Sequence, residues 1–293
     1  MENKKLLVTG SSGFIGKAFC DKARNLGYEI IEYDLPYNDL RAVWLLEEAI
    51  IESDMVVHIA AIADLNESIK DQDKNFYINV VATFDIGRFC AENNKRLIFI
   101  STCCVYGNTK VNGVETEDYT VPCTCEPYAT SKMAAEWMLK GIPNLDYTIL
   151  RIGTTYGAGM REALFIYIAF DKILKGETIE IHGDGEQTRQ YIYIDDLTDG
   201  IIATVQADNC SGEIINLCDW NTASVIDIIN HISYMLEKPI EKVTHVSDRF
   251  GQIKHENISI GKAKELLNWS TKIEIIEGLK LTYDLDPRFE EYR

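Results

Sequence analysis

The sequence predicts an α/β fold, a doubly wound parallel sheet followed by a smaller C-terminal unit. Two observations carry this. The first 150 residues alternate short apolar runs with helix-length amphipathic segments, the rhythm of a parallel sheet covered on both faces. After Gly157 the rhythm changes to a helix, a strand and mixed short elements.

The strands expected in the first part are KKLLVTG, YEIIEYD, DMVVHIAA, RLIFIST and YTILRI. Between them KAFCDKARNLG, RAVWLLEEAII, NFYINVVATFDIGRFCAENN and SKMAAEWMLK have helical length and spacing, and Gly27 stands where a helix-terminating glycine belongs. Strand and helix in strict succession make a βαβα series. Farther on come a helix, LFIYIAFDKILKG, and a strand, TIEIHG. The division expected is residues 1–157, rejoined by about 189–210, for the sheet unit, with 158–188 and 211–293 in the second. No Pro/Gly-rich linker parts them, so a shared interface with a cleft is expected.

Length and composition allow a large core: 293 residues, 46% of them hydrophobic and 26% charged. The net charge of −17 disfavours a nucleic-acid partner or an anionic membrane surface, because the field of the whole molecule would repel both. An anionic substrate would need local arginines. Cysteines 20, 90, 103, 104, 123, 125, 210 and 218 form no CxxC pair, which fits reduced thiols, and no apolar run approaches the roughly 20 residues of a membrane span. A cytoplasmic protein is expected. His58 falls in a strand and His182 at a strand end, and the histidines make no metal-ligand pattern.

Gly10, Gly13 and Gly16 follow the strand KKLLVT and open the next helix in a GxxGxxG spacing. Glycine permits the tight turn and the close approach of a pyrophosphate, while the helix N-terminus offers N–H donors and a favourable dipole. Asp34 ends the following strand, where an acid accepts hydrogen bonds from ribose hydroxyls and repels a 2′-phosphate. With no Arg directly after it, and Lys17 the one nearby cation, a Rossmann-type site for NAD rather than NADP is expected.

A phenol that takes a proton from an alcohol needs a cation nearby, and a Lys four residues on along a helix supplies one. The YxxxK spacing occurs at Tyr106/Lys110, Tyr128/Lys132 and Tyr234/Lys238. Gly107-Asn108 breaks the first, and Pro239 stops the third on what reads as a solvated face. Tyr128 follows Pro127 at the start of a strongly helical segment. The strand RLIFIST delivers Ser101 and Thr102 to the carboxyl edge of the sheet, where either hydroxyl could bond the reacting oxygen.

Together VTGSSGFIG, HIAAIAD, ISTCCVYG, PYATSK, LRIGTTYGAGM, HGDGEQTRQYIYIDDL and DRFGQ resemble the extended short-chain dehydrogenase/reductase family, in particular its nucleotide-sugar epimerases and dehydratases. The resemblance runs nearly end to end. It implies NAD contacts from Gly10, Gly13, Phe14, Ile15 and Gly16, Asp34 on the ribose, Asp39 and Leu40 around adenine, Ala60 and Ala61 toward the nicotinamide, and Asn79 in support. It assigns catalysis to Thr102, Tyr128 and Lys132, and the substrate pyrophosphate to Arg189 and Arg249.

The implied chemistry is oxidation of a sugar C4 hydroxyl to a 4-keto intermediate. The family's dehydratases and decarboxylases carry acids after the catalytic Thr, whereas this chain has Cys103 and Cys104, which leaves 4-epimerisation as the leading expectation. Net 4-dehydrogenation is one alternative. Another is 3,5-epimerisation, because such enzymes resemble the chain in a Cys at the place of Cys104, here with Arg161 or Glu162 as the second acid/base. A non-catalytic dinucleotide-binding module is the alternative of another class. Thr154 in place of a frequent Asn and Ala158 in place of Pro alter the sugar pocket. A homodimer through the helices NFYINVVATFDIGRFCAENN and SKMAAEWMLK is also implied.

Overall fold

The computed structural model describes residues 4–109, 114–118, 126–249 and 251–293. Lys110, Cys123, Cys125 and the Phe250 of DRFGQ lie outside the described residues.

The first half of the chain runs β1 (Lys5–Thr9), α1 (Phe14–Asn25), β2 (Glu29–Tyr33), α2 (Val43–Glu52), β3 (Met55–His58), α3 (Leu65–Lys70), α4 (Gln72–Phe76), a π-turn at Tyr77–Val81, α5 (Ala82–Glu92), β4 (Arg96–Thr102), α6 (Pro127–Lys140) and β5 (Tyr147–Ile152). The second half contains β6 (Thr154–Tyr156), α7 (Phe165–Lys175), β7 (Ile179–His182), β8 (Thr188–Arg189), β9 (Tyr191–Tyr193), α8 (Ile194–Gln206), β10 (Glu213–Leu217), β11 (Ala223–Ser224), α9 (Val225–Leu236), β12 (Val243–Val246), α10 (Gly261–Leu267) and α11 (Ile275–Leu285).

Six strands form one parallel sheet in the order β10-β5-β4-β3-β1-β2. Successive side chains of β1 leave opposite faces: Leu6 and Val8 join the core under α1 and α8, while Leu7 joins the core with Leu46, Ile86 and Leu139 of α2, α5 and α6. Burial on both faces explains why these strands read as continuous apolar runs rather than alternating ones. The doubly wound α/β expectation is therefore met, and strand order reverses at β1, with β2 on one side and β3 on the other. Ligand crevices open at such a switch point, beyond the carboxyl ends of the strands.

β10 pairs with β5 as the outermost strand. The sequence reading had put residues 213–217 in the second unit, because a short edge strand so far along the chain carries no periodic signal of its own. We propose that the sheet unit extends to take in β10. A third core gathers α7, α9 and α11 with β7 and β9, and Phe14, Ile15 and Ala18 of α1 pack against it. The helix expected over residues 75–94 is α4, the π-turn and α5 in continuous succession. No helix among the described residues is long and apolar enough to cross a membrane.

Candidate active site

A cleft of about 1630 Å³ runs along the carboxyl edge of the sheet. Its walls include Gly10, Gly13, Phe14, Ile15, Gly16, Asp34, Asp39, Leu40, Ala60, Ala61, Thr102, Cys104, Tyr128, Lys132, Thr154, Arg161, Arg189 and Arg249. Segments far apart in sequence thus meet where the glycine loop and the Tyr128 helix had been expected to.

The glycine loop is backbone packed on backbone. Gly10 has φ +71°, and a Cβ there would lie 2.7 Å from the Ala60 nitrogen; at Gly16 a Cβ would collide with the Gly10 carbonyl. Gly13 is the N-cap of α1 and supplies no side chain to close it, so the first N–H groups of the helix remain available. Ser11 beside them has a buried hydroxyl without a partner. Asp34 braces the loop from β2, its Oδ2 accepting from the Ser12 N–H (2.9 Å) and hydroxyl (2.6 Å), and its carboxylate keeps lone pairs for further donors. Asp39 is tied to Arg41 at 2.5 Å, and that guanidinium holds its carboxyl below the usual value. Lys17 is exposed and is not among the cleft-lining residues.

Asn79 lies fully buried behind this wall. Its Oδ1 accepts from the Ile62 N–H (2.8 Å), while its Nδ2 donates to the Ile62 carbonyl (3.1 Å), Asn75 Oδ1 (2.8 Å) and Ser131 Oγ (2.9 Å). Every valence faces protein, so Asn79 pins the Ala60–Ile62 segment to α6 and does not reach the cleft. His58 is similarly internal, between Thr9 (2.6 Å) and Thr83 (2.9 Å), with burial and then Lys132 pushing its pKa down.

Glu126 starts α6. Its carboxylate accepts from the Tyr128 and Ala129 N–H groups at 2.8 Å each, capping α6 with Pro127 at its first position. The sequence reading used the proline and overlooked the carboxylate before it, which was the available signal. Tyr128 is half-buried; burial and then Cys104 raise its phenol pKa, and a hydrogen bond from Thr102 opposes them.

One turn on, Lys132 is 1% exposed. Its ammonium donates to the Ile100 carbonyl at 2.7 Å and lies 4.5 Å from the centre of the Phe99 ring. Burial lowers its pKa to about 7, partly offset by Glu136. The i, i+4 spacing does place Tyr128 and Lys132 on one helix face, but Lys132 is not among the groups that most affect the phenol here.

Alternation along β4 separates its two hydroxyls. Ser101 donates to Glu136 at 2.5 Å, and Glu136 pairs with buried Arg151 at 2.7 Å. Thr102 turns to the cleft, where its Oγ1 accepts from the Cys104 N–H at 3.1 Å. Both residues line the cleft, and of the two hydroxyls that of Ser101 is engaged with a buried carboxylate. The Cys104 thiol is pushed up to about 11, by burial first and then by Glu256, so it stands in the cleft as a neutral thiol.

Tyr106 and the Tyr234/Lys238 pair are not among the cleft-lining residues. Tyr106 is buried with its hydroxyl on Asn216 at 2.9 Å. Tyr234 is 87% exposed, and Lys238 donates to the Leu174 carbonyl at 3.2 Å.

At the far end of the cleft Arg189 lies 3.7 Å from Glu256, a carboxylate only 2% exposed that also accepts from the Gln190 N–H at 3.1 Å. Sequence reading did not find Glu256, since it stands in none of the motifs. Arg249 is exposed at the mouth. Arg161 lies 3.5 Å from Asp64 and donates to the Ala63 carbonyl at 3.3 Å. Glu162 lies 3.9 Å from Arg288 and is not a cleft-lining residue.

Residues 6–218 match the NAD dependent epimerase/dehydratase family. The chain belongs to this family. A UDP-glucuronate 4-epimerase of Thermodesulfobacterium geofontis is 31% identical over 232 residues, covering 78% of this chain and 70% of the relative. The Bacillus cereus UDP-glucuronic acid 4-epimerase, solved in complex with UDP-glucuronic acid and NAD, has a TM-score of 0.86 at 28% identity, covering 96% of this chain and 98% of its own. The Thermotoga maritima UDP-glucose 4-epimerase, solved with UDP-glucose, has a TM-score of 0.86 at 25% identity, covering 96% and 97%. The protein is thus an NAD-dependent enzyme of the extended short-chain dehydrogenase/reductase type, in its nucleotide-sugar epimerase/dehydratase group. NAD fits the cradle described, where the open N-terminus of α1 offers donors to a pyrophosphate and the side-chain-free glycine loop lets it approach closely.

Proposed function

We propose that this enzyme interconverts the C4 epimers of a UDP-hexose through a 4-keto intermediate. The observation that carries the proposal is the set of groups around Tyr128: Thr102 beside its phenol, Lys132 one helical turn away, and the thiols Cys103 and Cys104 in the next two positions. This set can move one proton at a sugar oxygen and offers no carboxylate next to Thr102 for eliminating water or steering decarboxylation. Relatives named as UDP-sugar 4-epimerases support the same reading.

The residue roles follow from their surroundings. Tyr128 takes the O4 proton and returns it, Thr102 holds the oxygen by hydrogen bonding, and Lys132 supplies positive charge under the wall that Phe99 and Ile100 form. NAD supplies reversible hydride acceptance at C4. Gly10, Gly13, Phe14, Ile15 and Gly16 hold its pyrophosphate, Asp34 its ribose, Asp39 and Leu40 its adenine, and Ala60 and Ala61 flank the nicotinamide. Arg189 and Arg249 grip the substrate diphosphate, where a guanidinium fork suits paired phosphate oxygens, and Thr154 contributes to the sugar wall.

The alternatives fare less well. A thiol whose pKa is raised to about 11 is a poor base for protons at C3 or C5, and Glu162 is exposed and is not among the cleft-lining residues. A non-catalytic module does not fit a family of enzymes. We also propose a homodimer through α5 and α6, since Trp137 and Met138 of α6 are 57% and 43% exposed. Incubation with NAD and UDP-glucose, with NMR analysis of the products, tests the function: UDP-galactose is expected, and net NADH with a released keto sugar would instead mean 4-dehydrogenation.

A further inference from the structure

Glu256 has no part in the proton chemistry, and a buried carboxylate in a substrate cleft is costly unless something holds it there. Its partners are clear. Oε2 accepts from the Gln190 N–H at 3.1 Å, and Oε1 lies 3.7 Å from Arg189 Nε. Gln190 in turn accepts from the Thr154 N–H through its carbonyl at 3.2 Å, so the carboxylate is fixed directly behind the wall that Thr154 helps form. Its charge also reaches Cys104 beside Tyr128. Glu256 therefore stands between the diphosphate end and the sugar end.

The other charged groups near Tyr128 are engaged, the Lys132 ammonium donating to the Ile100 carbonyl at 2.7 Å. Arg161, a guanidinium close enough to influence Tyr128, faces Asp64 at 3.5 Å and the Ala63 carbonyl at 3.3 Å. The Glu126 carboxylate caps α6. Thr102, Cys104 and Thr154 contribute hydroxyls and a neutral thiol. A carboxylate on the sugar would enter a region that already holds the buried Glu256 and Glu126 and the half-buried Asp64, with Arg189 and Arg161 both facing carboxylates. Like charges repel there, most of all at the buried Glu256. A hydroxymethyl group would instead find acceptors.

We propose that the sugar end of this cleft selects a hexose with an uncharged C6 over a hexuronate, and that Glu256 is the residue that sets this choice. The inference rests on the 4-epimerase reading only in placing the hexose beside Tyr128.

Calorimetric binding of UDP-glucose, UDP-glucuronate and UDP to the NAD-loaded enzyme tests it. The wild type is expected to bind UDP-glucose at least roughly tenfold more tightly than UDP-glucuronate, a difference of about 1.4 kcal/mol. Glu256→Gln keeps an acceptor for Gln190 and removes the charge. It should narrow the ratio to within about threefold, mainly by improving UDP-glucuronate. Taking the ratio of the two sugars cancels any change in the grip of Arg189 on the diphosphate, which UDP alone reports. Equal or tighter binding of UDP-glucuronate by the wild type would overturn the proposal, as would an unchanged ratio in Glu256→Gln. Should that variant not fold, Glu256→Thr and the wild-type ratio carry the decision. No turnover is needed for this reading, so a failure to form any C4 isomer would sink the epimerase assignment separately.

Discussion

The two ends of the cleft are built from different materials. The cofactor end is main chain: Gly10 against Ala60, Gly16 against Gly10, and the uncapped start of α1. The other end is side-chain charge held in pairs, with Arg189 on Glu256 and Arg161 on Asp64. A main-chain site tolerates almost no added atom but depends little on protonation. A charge-paired site tolerates shape changes and depends strongly on which partner carries the proton.

Substitutions should separate these ends, and the largest effect is expected at the phenol. Tyr128→Phe removes the proton-moving group and should lower kcat by about a thousandfold while NAD titrations stay close to wild type. Comparable loss of NAD binding would mean that the ends are not separable. Glu136→Ala leaves buried Arg151 without its carboxylate, a change worth roughly 3–5 kcal/mol. A large fall in Tm is expected, and an unshifted Tm would show that the pair contributes little to the fold.

Gly16→Ala attacks the other end. Its Cβ meets the Gly10 carbonyl, so NAD affinity should fall on the order of a hundredfold, about 2.7 kcal/mol, while kcat at saturating NAD changes far less. The smallest effect concerns Lys132, whose pKa of about 7 lies below the roughly 10.4 of an unfolded lysine. Between those values the unfolded chain binds the additional proton, so burying this amine destabilises the fold. The cost is full at and below about pH 7 and fades as pH rises toward 10. Lys132→Met should therefore raise Tm at pH 7, by roughly 1–3 kcal/mol of stability, with the gain shrinking toward pH 10. A pH-independent shift would contradict burial as the cause.

The same division decides what the sequence could reveal. The glycine loop, β4 and the Tyr128 helix are local: their residues lie close together in the chain, so spacing and composition suffice to find them. The pairs are not local. Arg189 sits in a recognisable motif, yet its partner Glu256 comes from a segment with no pattern, and Asp64 meets Arg161 only because the strand order brings their loops together. Burial was equally invisible: spacing put Lys132 beside Tyr128, whereas the fold gives its ammonium to the Ile100 carbonyl. Cys104 read as a possible thiolate, and its buried surroundings make it a neutral thiol. Asn79 was expected at the cofactor, and its four hydrogen bonds to protein place it behind the wall.

The most direct test of the central claim follows the hydrogen at C4. UDP-glucose deuterated at C4, incubated with the NAD-loaded enzyme in ordinary water, should yield UDP-galactose that keeps the deuterium at C4, because hydride leaves and returns within one closed site. Deuterium lost to solvent, or a keto sugar accumulating with reduced cofactor and no UDP-galactose, would contradict it.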